Sequence, residues 1–81
     1  MPRDTALYKA TIDQEISPLE IESAVAASGG LIHRVDQSHG TTTVFFSASS
    51  KRSAAEVRAA LLERGKVNVR SATEKELTKL P

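Results

Sequence analysis

The 81-residue chain carries 11 Lys and Arg against 10 Asp and Glu, a formal net charge of +1, and has no cysteine. That length admits one domain, and the composition excludes disulfides, thiolate catalysis and cysteine-ligated metal while suiting a cytoplasmic setting. No stretch approaches the ~20 apolar residues of a membrane helix, and Met1-Pro2-Arg3-Asp4-Thr5 has no apolar run behind its charge, so neither a membrane span nor a signal peptide is expected.

Residues 1–5 read as a disordered lead. From Ala6 to Asp13 the residues alternate, with Ala6, Tyr8, Ala10 and Ile12 on one side and Leu7, Lys9, Thr11 and Asp13 on the other. Period two over such a length predicts a half-buried strand. A helix should follow from Ser17 as N-cap. Pro18 stands at N1, Glu20 at N3 completes a capping box, and Ile16 and Ile21 are spaced as a hydrophobic staple. Ile21, Ala24, Val25 and Ser28 form its inward stripe, and Gly29-Gly30 ends it. A second strand is expected over Leu31–Asp36. Leu31, His33 and Val35 compete with Ile32 for the inward face, and the first set is favoured because Leu31 and His33 match Val67 and Val69.

Gln37 to Gly40 is a polar turn. Thr41 to Ala48 is a third strand, rich in β-branched and aromatic residues. Thr42, Val44, Phe46 and Ala48 should face the helices, and Thr41, Thr43, Phe45 and Ser47 should face away. Ser53 and Glu56 make a second capping box, with Val57, Ala60, Leu61 and Arg64 along one side and Gly65 as the stop. Val67 and Val69 mark a fourth strand. In the tail, 71–81, Thr73 and Glu76 predict a further helical turn before Leu77 and Leu80.

These elements repeat once, offset by 36 positions: Tyr8 matches Val44, Ser17 matches Ser53, Glu20 matches Glu56, Val25 matches Leu61 and Gly29 matches Gly65. Two copies of strand, helix and strand predict an α+β, ferredoxin-like βαββαβ sandwich over residues 6–70, the split βαβ plan. A four-stranded antiparallel sheet would carry both helices on one face. The first and third strands would be central and the second and fourth would be edges.

The opposite face would then be open and would carry Lys9, Thr11, Arg34, Thr41, Thr43, Phe45, Asn68 and Arg70. Three basic side chains around one aromatic suit either a protein partner or a stacked base with its phosphates. The plan resembles that of RNA-recognition domains, whose third strand carries a basic-Gly-aromatic-Gly-aromatic-Val-x-aromatic run. The aligned stretch is His39-Gly40-Thr41-Thr42-Thr43-Val44-Phe45-Phe46. Gly40, Val44 and Phe46 match it, and the two stacking positions are Thr41 and Thr43. Amino-acid-sensing ACT domains are similar from Asp13 to Gly30, with Leu19 or a neighbour where that family has a helix-start Gly, and propeptide-type protease inhibitors share the Gly29-Gly30 before the second strand; metal-carrying domains and acylphosphatases share only the plan. Residues 13–20 hold neither a Cys-x-x-Cys nor an Arg-bearing Gly-rich loop.

A candidate anion site is Ser50, Lys51, Arg52 and Ser53, where hydroxyls and basic groups meet the start of the second helix. His33 and His39 lack clustered carboxylates, so no metal site, cofactor or catalytic residue is expected. Residues 1–40 hold three basic and six acidic side chains, and residues 41–81 hold eight basic and four acidic. This opposition favours head-to-tail self-association or a basic contact face. The expected function is a non-enzymatic binding or regulatory module. It would act by protein–protein contact, or as a homodimer, through the open face or the edge strands, and not on a membrane. The alternatives are single-stranded nucleic-acid binding on the basic face and anionic-metabolite sensing at the second helix.

Overall fold

The computed structural model describes residues 6–73 together with Lys75 and Glu76. The elements run β1 (Ala6–Ile12), α1 (Pro18–Ala27), β2 (Gly30–Ser38), β3 (Thr41–Ala48), α2 (Lys51–Leu62) and β4 (Val67–Ser71). The strands form one four-stranded antiparallel sheet in the order β2-β3-β1-β4, and with the two helices this is an α+β fold. The expected disordered lead, and Leu77 and Leu80 of the expected last helical turn, lie outside the described residues. Within that turn, the Glu76 amide donates to the Thr73 carbonyl at 3.0 Å.

One face of the sheet and both helices enclose the core. Ala10 and Ile12 of β1 and Val44, Phe46 and Ala48 of β3 meet Ile21 and Val25 of α1 and Ala54, Val57 and Leu61 of α2. The apolar positions of each helix recur at three- and four-residue spacing, as burial of one helix face requires. Tyr8 stacks on Phe46 with ring centroids 5.5 Å apart, which adds about 0.5–1.5 kcal/mol beyond the area buried.

The first helix starts where its sequence predicts, but the capping box does not form. The Ser17 side chain makes no cap bond; its carbonyl accepts only the ordinary first helical bond, from the Ile21 amide at 3.1 Å. Glu20 turns toward Arg64, 3.6 Å away, so the acid links α1 to the segment after α2. The staple residues Ile16 and Ile21 are both in the core. Gly29 has φ +85°, the left-handed conformation expected after a helix end.

The facing of β2 departs from the expectation. A β-bulge between Ile32 and Arg34 leaves His33 without a partner on β3. An extra residue changes the alternation of everything beyond it. Ile32 lies opposite Phe46 and Val35 opposite Val44, and both pack on the core although they are three apart. Leu31 and His33 are therefore not inward. Leu31 lies opposite Ser47 on the other face, and His33 is exposed. The strand also runs on to Ser38, so the turn is only His39-Gly40, with φ of 54° and 78°. Two successive positive φ values are the mark of the primed turns that close two-residue hairpins.

The loop from β1 to α1 is fastened to this hairpin. Thr42 is fully buried; its hydroxyl donates to the Gln14 carbonyl at 2.7 Å and accepts from the Ile16 amide at 3.0 Å. The Gln37 amide group donates to the Ile16 carbonyl, and the Gly40 amide donates to the Glu15 carboxylate at 3.1 Å. Thr42→Val keeps the shape of the side chain but strands a buried amide. It should cost about 1–3 kcal/mol in urea denaturation, and Thr42→Ser should lose less because the hydroxyl remains.

Candidate functional site

Residues directly opposite one another in an antiparallel sheet put their side chains on the same face. Arg34 lies opposite Phe45, Phe45 opposite Lys9, and Lys9 opposite Arg70. These four residues make one row across all four strands, on the face away from the helices. The next row is Asp36, Thr43, Thr11 and Asn68. The sheet thus brings together seven of the eight residues expected on this face, Lys9, Thr11, Arg34, Thr43, Phe45, Asn68 and Arg70; the eighth, Thr41, lies two places before Thr43 on β3, opposite Ser38.

Their environment differs from an open platform. Phe45 is only 6% exposed and is part of the interior, not a free aromatic surface. The Lys9 ammonium lies 5.9 Å from its ring centroid, within cation–π range. Arg34 Nε pairs with Asp36 Oδ2 at 2.8 Å, and Arg70 Nη2 pairs with Glu76 Oε1 at 3.1 Å. Each cation of the row therefore has a partner within its own chain. Beyond the row, His33 Nε2 and Ser47 Oγ are 3.0 Å apart. A shallow cleft of about 440 Å³ opens at the end of the face, lined by Thr11, Asp13, Thr41, Lys66, Val67 and Asn68.

The candidate anion site takes a different form from the one expected. Helix α2 begins at Lys51 with Ser50, not Ser53, as its N-cap. The Ser53 amide donates to Ser50 Oγ at 3.1 Å, and Ser50 Oγ donates to Ser53 Oγ at 3.3 Å. The serine three places before Ser53 is the better cap because it adds a helical turn while Ala54, Val57 and Leu61 keep their buried positions. Glu56 then pairs with Arg52 at 3.7 Å one turn along the helix. Lys51 and Arg52 are exposed, and the two hydroxyls are occupied by the cap itself.

Sequence reasoning placed Leu31 inward and left Asp36 out of the outer face. Leu31 is 63% exposed on β2, and Asp36 sits beside Arg34 on the outer face. The available signal was the pair Ile32 and Val35: two bulky apolar residues three apart in a strand imply a bulge between them. At the turn, Ser38 Oγ and His39 Nδ1 are 2.7 Å apart, and Asp36 is held by Arg34. Among the described residues no three His, Cys, Asp or Glu side chains gather as a metal site, and no helix is long and apolar enough to cross a membrane.

Compared with known protein families the chain matches none, and no curated protein is similar enough to count as a relative.

The two helix starts give a direct check on capping. Ser50→Ala should destabilise the fold by about 1 kcal/mol, since it removes the α2 cap, whereas Ser17→Ala should leave the thermal midpoint nearly unchanged.

Proposed function

We propose that this chain is a small, non-enzymatic binding or regulatory module of ferredoxin-like plan that works by protein contact along the β2 edge of its sheet. The element order and the strand order β2-β3-β1-β4 support that plan. The observation that carries the functional reading is the contrast between the two surfaces expected to bind. Phe45, the one aromatic of the helix-free face, is buried, while β2 is a nine-residue strand at the sheet margin that carries the exposed Leu31.

An edge strand presents backbone N–H and C=O groups that an extended segment of another chain satisfies, with alternate side chains giving selectivity. A base, by contrast, needs an accessible ring to stack on. The basic residues of the face hold acids and an aromatic of their own chain, which reduces their use as phosphate contacts. A cytoplasmic setting is part of the same proposal and rests on the cysteine-free composition.

The test is an amide NMR titration with a mixed-sequence single-stranded oligonucleotide at low and moderate salt. No salt-dependent shifts are expected at Lys9, Thr43, Phe45 or Arg70. Shifts centred there that fade as salt rises would replace protein contact with nucleic-acid binding.

A further inference from the structure

We propose that the occupant of the β2 edge is a second copy of this chain, paired antiparallel about Val35, so that the two sheets continue as one. This rests on the edge-contact reading above and names its partner. The support is the order of charges along the strand. Arg34 and Asp36 lie on the same face, opposite Phe45 and Thr43 of β3 and next to the free margin of the sheet. They pair at 2.8 Å, with the Arg34 side chain 22% exposed and the Asp36 side chain 46% exposed.

A two-fold axis perpendicular to the sheet matches each face with itself. Directly opposite residues must then share a face, so β2 can meet its copy only in registers that keep this alternation. Centred on Val35, Arg34 of each copy lies opposite Asp36 of the other, and the two Val35 residues meet on the helix side. Centred on Arg34, two guanidinium groups oppose each other; centred on Asp36, two carboxylates do. Like charges directly opposite are destabilising, and unlike ones contribute roughly 0.2–1 kcal/mol per pair. Charge order therefore selects one register out of these three.

The intrachain ion pair is not given up in this arrangement. It becomes half of a ring of four alternating charges, two from each copy. The bulge at His33 ends regular pairing just before Arg34 in each copy, so the register centred on Val35 pairs Arg34 to Asp36 regularly, which is where the complementary charges lie. Counted past the bulge, the same register brings Ser38 of the second copy, just before its turn, opposite Leu31.

Sedimentation velocity across the micromolar range tests this with wild type, Arg34→Asp, Asp36→Arg and the double reversal. The wild type should show a concentration-dependent dimer. Each single reversal should weaken it about tenfold or more, and the double reversal should restore it. A wild type that stays monomeric throughout overturns the proposal, as does a dimer whose affinity ignores the reversals. Amide exchange on the wild type needs no variant. Slower exchange between Arg34 and Gln37 as concentration rises is expected, and concentration-independent exchange there overturns the pairing. Failure here leaves the protein-contact reading standing, since that falls only on oligonucleotide shifts.

Discussion

A strand of strict alternation cannot place two residues three apart on one face, yet Ile32 and Val35 both pack against the core. The bulge at His33 resolves the conflict, and the arrangement of the whole β2 margin follows from it. Ahead of the bulge, Ile32 faces the helices and Leu31 faces away. Beyond it, Val35 faces the helices, and Arg34 and Asp36 face away together. Without the extra residue, one of the two apolar side chains would leave the core, and keeping Ile32 inward would also turn the Arg34–Asp36 pair toward the helices. Burying an ion pair there would carry a desolvation penalty of several kcal/mol per ion. The hydrophobic demand of one face thus decides the charge pattern of the other.

The two faces also differ in how they are completed. On the helix side the core is continuous and apolar, and its buried threonine hydroxyl, Thr42, is fully used. Thr42 joins positions far apart in sequence, because it holds the β1–α1 loop against β3. On the other side the central row is a buried ring between cations that are each matched within the chain. Such a row is cohesive by itself.

Much of the fold was legible because its signals are local and redundant. Alternation in β1 and β3, Pro18 at the head of α1 and the 36-residue offset all point to the same elements. The elements that misled are those where two local choices are nearly equal and only tertiary contact decides. Ser50 and Ser53 are both good caps, and the longer helix wins because it buries the same apolar face with an extra turn of backbone bonds. Glu20 fits a capping box, but Arg64, brought close by the packing of the helices, captures it. The shared face of the seven candidate residues was readable from parity alone. The burial of Phe45 was not, because parity says which way a ring points and nothing about what lies over it.

The central position of β3 has a consequence for what the chain avoids. Thr41 to Ala48 has no charge, no proline and no glycine, and it is rich in β-branched and aromatic residues. That is the composition of segments that stack into cross-β fibrils. The fold seats this segment between β1 and β2, so neither of its backbone edges is left for another molecule. The two-residue turn at His39-Gly40 brings β2 against it early, since hairpins close in about 1–10 µs, and the cations Lys51 and Arg52 follow after Ser49-Ser50, in the flanking position where charges disfavour stacking. Lys51 and Arg52, whose charge opposes the positive end of the α2 dipole, thus stand beside the strand whose composition suits such stacking, where charge disfavours it.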